Sequence, residues 1–118
     1  MASHNEMGQA GEELAIGWLR KNNYEVLHHN WRHSFHEIDI IAVKNGLLHF
    51  IEVKTRAGNF GGYPELSVTK TKFRFLQRAA EQFLYKHPEY KRVQFDIISI
   101  TIPKKGEPEI FFIEDVFL

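Results

Sequence analysis

From Glu6 to Asn22 the apolar residues Met7, Ala10, Leu14, Ala15, Trp18 and Leu19 recur three or four positions apart, with Gly11 in the same stripe. That period predicts an amphipathic helix. Ser3 or Asn5 suits its start, and Asn22-Asn23 its stop. The pattern then changes to β-branched and aromatic runs, and residues 24–31, 37–44 and 47–55 read as three strands. The last two are joined by Asn45-Gly46, the strongest short hairpin signal a sequence offers. A glycine-rich loop, 57–64, separates them from a second helix over 69–87 that buries Phe73, Leu76, Ala80 and Phe83. A strand over 92–102, a Pro-Lys-Lys-Gly-Glu-Pro turn and a strand over 109–113 complete the chain. Ile38, Ile40, Ile41, Ala42 and Val43 leave the second strand apolar on both faces, and the third is similar. Both must be covered on two sides. The order α-β-β-β-α-β-β therefore predicts an α/β fold with a mixed central sheet flanked by helices.

Composition narrows the class. A chain of 118 residues that is 43% hydrophobic and 25% charged, with 4 Pro and 8 Gly, suits one globular domain over 1–118 and excludes disorder and collagen-like repeats. The absence of Cys excludes disulfides, cysteine zinc sites and thiol catalysis. No apolar run approaches the ~20 residues of a membrane span, and the first residues lack the apolar stretch of a secretory signal. The expectation is a soluble cytoplasmic protein with no membrane partner. The formal net charge of zero conceals a basic middle. Residues 54–92 carry nine Lys and Arg against only Glu65, Glu81 and Glu89, between two acidic flanks. Such a stretch can meet phosphates while the acids elsewhere hold a cation; it is equally the solvated face of a helix.

The hairpin makes a geometric claim. A two-residue turn at Asn45-Gly46 pairs Lys44 with Leu47, and counting outward sets Asp39 opposite Glu52 and Glu37 opposite Lys54, all on one face. Like charges directly opposed on a sheet repel. Three explanations stand: a shared proton, a divalent cation that prefers carboxylate oxygen, or plain solvent exposure. The apolar neighbours Ile38, Ile40, Ile51 and Val53 weigh against exposure. Lys54 is either an ion-pair partner for Glu37 or a catalytic cation. On the first helix Glu12 lies at the flank of the apolar stripe, whereas Glu13 falls on the polar face with Gln9 and Arg20. Gly8, Gly11 and Ala15 allow this helix to approach the sheet closely, so Glu12 is the inward candidate, with a snorkelling surface acid as the alternative.

Asp39, twelve intervening residues, then Glu52-Val53-Lys54 resembles the D…(D/E)-x-K signature of the restriction-endonuclease-like superfamily. Gly8-x-x-Gly11-Glu12, Asn30-x-Arg32, Glu37-Ile38-Asp39-Ile40-Ile41-Ala42, Phe50-Ile51-Glu52-Val53-Lys54-Thr55-Arg56 and Arg92-x-x-Phe95-Asp96 together resemble the YraN-like family of bacterial proteins, regarded as predicted nucleases related to archaeal Holliday-junction resolvases. The resemblance implies a restriction-endonuclease-like core and a magnesium-dependent endonuclease hydrolysing phosphodiester bonds in DNA, with branched or flapped DNA as candidate substrates. It implies that Glu12, Asp39 and Glu52, with the Val53 carbonyl, hold Mg²⁺ or Mn²⁺. Lys54 would orient or polarise the attacking water, and Lys72 matches a basic position suited to a backbone phosphate. The family usually has Gly before Glu-Ile-Asp; here it is His36, which either crowds the site or adds a ligand.

Other groups carry alternatives. Arg56, Lys70, Arg74 and Arg78 can contact nucleic acid or merely solubilise their elements. His28, His29, His33 and His36 cluster around the first strand as a possible zinc site, although adjacent His28 and His29 face opposite ways on a strand. The glycine-rich loop lacks the Gly-Lys-Ser/Thr ending of a P-loop and serves as a substrate flap or a plain connection. Asp96 either approaches the site or has a structural partner. Junction resolution would need a homodimer, for which Phe111, Phe112, Val116, Phe117 and Leu118 offer an interface unless they finish the core. A nucleic-acid-binding or partner-binding module without hydrolytic activity is the alternative function.

Overall fold

A computed structural model describes residues 4–58 and 69–116. Its elements are α1 (His4–Lys21), β1 (Glu25–His33), β2 (His36–Lys44), β3 (Leu47–Ala57), α2 (Lys70–Lys86), β4 (Val93–Ile102) and β5 (Glu109–Ile113). This is the α-β-β-β-α-β-β order that the periodicities predict. The strands form one five-stranded sheet in the order β1-β2-β3-β4-β5. All neighbours are antiparallel except β3 and β4, which run parallel. A parallel pair needs a crossover, and α2 provides it.

Local chemistry sets each boundary. Asn23 has φ 69°, and the Tyr24 N–H donates to Leu19 O at 2.9 Å, a left-handed residue closing α1. Ser3 lies outside the described residues and Asn5 falls within α1. Asn45 (φ 52°) and Gly46 (φ 77°) are both left-handed, the conformation a two-residue hairpin turn requires. Thr69 caps α2 by accepting the Lys72 N–H on its hydroxyl at 3.1 Å. Most of the predicted glycine-rich loop lies outside the described residues.

The helices cover opposite faces of the sheet. Under α2, Phe73, Leu76, Ala80 and Phe83 meet Ile38, Ile41, Leu48, Phe50 and Ile97. Under α1, Ala15 and Leu19 meet Ile40, Ala42, Ile51, Ile98 and Ile100. Phe112 finishes this second layer, its ring 5.1 Å from Trp18 and 5.9 Å from Tyr24, and Val116 packs against the first. These two of the C-terminal apolar residues therefore complete the core; Phe117 and Leu118 lie outside the described residues. No described helix is long and apolar enough to cross a membrane.

The glycines of α1 divide by role. A Cβ at Gly11 would overlap the Thr55 hydroxyl and stand 2.9 Å from Thr55 Cβ and Cγ2, whereas one at Gly8 meets nothing within 4 Å. Of the two, only Gly11 is the close-approach residue. Gly11→Ala is therefore expected to destabilise by about 1–3 kcal/mol through overpacking. Gly8→Ala should stabilise by up to ~1 kcal/mol, since alanine is the better helix former. Urea unfolding of both variants checks this, and equal shifts of one sign would contradict it.

Candidate active site

β2 and β3 pair in the predicted register from Lys44–Leu47 to Ile40–Ile51, and there the ladder stops. The predicted Asp39–Glu52 and Glu37–Lys54 pairs do not form. Side-chain alternation slips at the same place, for Ile38 packs under α2 while Ile40 packs under α1. The cause lies in Asp39. Its Oδ2 accepts the Val53 N–H at 2.8 Å, so a side chain takes a donor that the ladder would otherwise use. β3 continues alongside β4 through Ala57–Ile102, and β2 diverges from it.

The divergence opens a cleft of about 290 Å³ at the carboxyl-terminal end of β3, lined by Met7, Gly8, Glu12, Asp39, Glu52, Val53, Lys54, Thr55 and Lys72. The close contact at Gly11 brings Glu12 to this rim. Glu12 is half-buried, and its Oε2 accepts from Asn30 Nδ2 at 3.1 Å; Asn30 itself is left-handed (φ 52°) in β1. Glu13 is exposed, as predicted. Glu52 is only 6% exposed. Lys72 Nζ meets its Oε1 at 2.6 Å, with Lys54 Nζ at 3.8 Å from the same atom.

Burial, then the charge of Glu52, pushes the Asp39 carboxyl up to about 7 against the opposing Val53 hydrogen bond, with Glu12 adding to the rise. Burial and the neighbouring Lys72 ammonium lower the Lys54 pKa. Burial, the largest single influence, would lower that of Lys72 too, but its bonds to Glu52 and Lys54 and the charges of Glu52 and Asp39 together outweigh it, and the net shift is upward. Three carboxylates and two ammonium groups thus share one partly desolvated cleft, the setting in which perturbed groups mark functional sites.

The chemistry of this donor set suits a hard divalent cation, since carboxylate and carbonyl oxygens are its preferred ligands. Their present arrangement is a different matter. Among the described residues no group of three or more His, Asp or Glu is gathered closely enough to hold a metal ion. Glu52 is engaged by Lys72 and Glu12 by Asn30.

The comparisons bear on the whole chain. The model of the uncharacterised protein family UPF0102 matches residues 11–100. A UPF0102 protein of Bacteroides fragilis is 39% identical over 117 residues, 99% of this chain and 96% of the relative. One of Caldicellulosiruptor saccharolyticus is 40% identical over 103 residues, 86% of this chain and 87% of the relative. One of Rhodococcus opacus is 36% identical over 118 residues, 99% of this chain and all of the relative. The chain belongs to this family. UPF0102 is the YraN-like group that the motifs resemble, and the matched span contains Glu12, Asp39, Glu52 and Lys54.

The remaining candidates fall elsewhere. Glu37 is exposed and meets Arg32 at 3.4 Å, not Lys54. Arg56 lies outside the cleft lining, its Nε donating to Thr101 Oγ1 at 2.8 Å. Lys70 and Arg74 are exposed on α2. Lys72, its side chain half-exposed, lines the cleft and pairs with Glu52 at 2.6 Å. Asp96 has a structural partner, His49, at 2.6 Å. His36 neither crowds the cleft nor joins its lining; its ring lies against Phe75, 5.2 Å between centroids. His28 packs edge-on to Phe83 and His33 stacks on Trp31, so the proposed zinc ligands turn to different aromatic partners. The sequence reading missed Met7 and Thr55 in the lining and Asn30 as the brace of Glu12. A polar residue unfavourable to strands in mid-β1 was the available signal for Asn30.

Asp39 should depress stability at high pH. Unfolded, its carboxyl ionises near 3.9; folded, it holds the proton to about 7. Between these values the native state binds more protons, so stability falls as pH rises, and above 7 the penalty is complete. Asp39→Asn keeps an oxygen for the Val53 N–H and removes the charge. Its melting temperature should exceed that of the parent by several degrees at pH 8 and match it near pH 4. A lower value at pH 8 would contradict the assignment.

Proposed function

We propose that this protein is a metal-dependent phosphodiesterase acting on DNA. The observation that carries the reading is one cleft in which Asp39, Glu52 and Lys54 stand together at the end of β3, with Glu12 supplied by α1. The resemblance to restriction-endonuclease-like enzymes arises from those same residues.

A divalent cation on Glu12, Asp39, Glu52 and the Val53 carbonyl would supply Lewis-acid activation of water and neutralise charge on the phosphate. The chain's own residues do the rest. The Val53 N–H fixes the direction of the Asp39 carboxylate, and Asn30 holds that of Glu12. Lys54, partly buried with a lowered pKa, can hold the attacking water at its Nζ and meet charge developing on the phosphate. Lys72 neutralises Glu52, lowering the repulsion an incoming phosphate would meet.

The Lys72–Glu52 pair also favours a second reading, a DNA-binding module without hydrolysis, because it satisfies with an ammonium a carboxylate that a cation would otherwise engage. An assay on labelled duplex, flapped, single-stranded and four-way-junction DNA with Mg²⁺ or Mn²⁺ separates the two. Cleavage should require metal and fall about 10²-fold or more in Asp39→Asn, Glu52→Gln and Lys54→Ala, as when one electrostatic group of an active site is removed. Cleavage unaffected by these changes would overturn the site. DNA retained but never cut would establish the binding module instead.

A further inference from the structure

A second cavity, of about 360 Å³, opens between the β1–β2 hairpin and α2, lined by His33, Ser34, His36, Arg78, Glu81 and Gln82. The Nδ1 of His36, one of the lining residues, is buried and has no hydrogen-bond partner among the described residues. A buried polar atom left unpaired is costly, and a native one calls for an explanation. The His36 ring rests on Phe75, which is 47% exposed. At the hairpin tip, next to left-handed Ser34 (φ 58°), Phe35 is 98% exposed. Lys70, Arg74 and Arg78 are exposed along the same helix.

The two cavities are joined by α2. Lys72 lines the acidic cleft and Arg78 lines the second cavity, six residues apart, or about 9 Å at the rise of an α-helix. That distance corresponds to roughly three stacked nucleotides at ~3.4 Å each along one strand. The cavity pairs the imidazole rings of His33 and His36 with guanidinium, amide, hydroxyl and carboxylate groups, and the phenylalanine rings stand beside it: Phe35 between Ser34 and His36 in the chain, Phe75 against the His36 ring. An unpaired base is gripped by such groups, a flat ring to stack on and polar atoms for its edge.

We infer that this second cavity holds an unpaired nucleobase of the DNA strand whose phosphate enters the acidic cleft, with Phe35 and Phe75 as stacking surfaces beside its mouth and Arg78 and Gln82 of its lining meeting the base edge. The inference rests on the phosphodiesterase reading and deepens it: the substrate class is DNA with unpaired bases beside the cut, not continuous duplex. The exposed phenylalanines alone would equally suit contact with a second copy of the chain. The basic residues on α2 and the polar lining favour nucleic acid.

The test measures binding by fluorescence anisotropy on a labelled single-stranded 15-mer and on its duplex, with Ca²⁺ in place of Mg²⁺ to slow turnover. The parent protein is compared with Phe35→Ala and Arg78→Ala, two exposed positions. Phe35→Ala should weaken single-strand binding about tenfold, in the range measured for one base–aromatic stack, and leave duplex binding within about twofold. Its salt dependence should be unchanged, because no phosphate contact is lost. Arg78→Ala should weaken the single strand more than the duplex. Equal loss on both DNA forms, or no loss on either, overturns the base pocket, as does a change of oligomeric state in Phe35→Ala with DNA binding intact. If duplex is cut normally and Phe35→Ala is inert, only the base pocket fails. If no form of DNA is bound or cut, the phosphodiesterase reading fails with it.

Discussion

The hydrogen bond from the Val53 N–H to Asp39 Oδ2, 2.8 Å long, is where the sheet stops being only a scaffold. In an uninterrupted hairpin, backbone groups satisfy each other and side chains alternate in register to the strand ends. Here a carboxylate takes one of the donors, β2 diverges after Ile40–Ile51, and β3 keeps its parallel partner β4. The divergence leaves Asp39 and Glu52 beside each other in the lining of a cleft instead of opposed within a pleat. Glu12 can reach that cleft only because Gly11 lets α1 rest on Thr55. One substituted hydrogen bond and one missing Cβ therefore position all three carboxylates.

The electrostatics follow from that placement. Glu52 is largely desolvated, only 6% exposed, and a desolvated carboxylate needs a counter-charge or a proton. Lys72 supplies the counter-charge at 2.6 Å. Asp39 stands beside Glu52, whose charge and hydrogen bond both raise its pKa, and the Val53 N–H does not offset them together with burial. The site thus retains a group out of balance, a cost that folding alone gives no reason to keep.

Nearly all of the fold was legible, because its signals are local. Asn45-Gly46 fixes a turn that only left-handed residues can make, and both are left-handed. The hydrophobic period separates the helices from the strands, and apolar residues on both faces of β2 and β3 require a cover on each side. The site was legible in its membership but not in its geometry. Counting outward from the turn assumes that every residue contributes one step to the pleat, and nothing local in Glu37-Ile38-Asp39 announces that Asp39 will use its side chain as a ladder partner. The ion pair of Lys72 was hidden for a similar reason: the sequence shows a basic residue on α2, but not which carboxylate its half-exposed side chain reaches. A long side chain on a helix can keep part of its stem in water while its charged end meets a buried carboxylate.

The same chain carries a control for this argument at the other end of β3. Asp96 is buried as deeply as any acid described, with 1% of its surface exposed, yet it gives no sign of a functional site. His49 Nδ1 meets its Oδ2 at 2.6 Å, while Gln94 Nε2 and the Asp115 N–H donate to its Oδ1 at 2.8 and 3.0 Å. Both oxygens are engaged, and the donors come from β3, β4 and the segment after β5, so the cluster ties the C-terminal segment to the sheet. Burial therefore does not by itself distinguish Asp39 from Asp96. What differs is the kind of partner: Asp96 meets His49, Gln94 and the Asp115 N–H, whereas Asp39 has one backbone donor and, in Glu52, a carboxylate whose charge and hydrogen bond both raise its pKa, with Glu12 adding to the rise. A buried acid held by donors ties a fold together; one set against another carboxylate on the wall of a cleft has the perturbed chemistry that functional sites use.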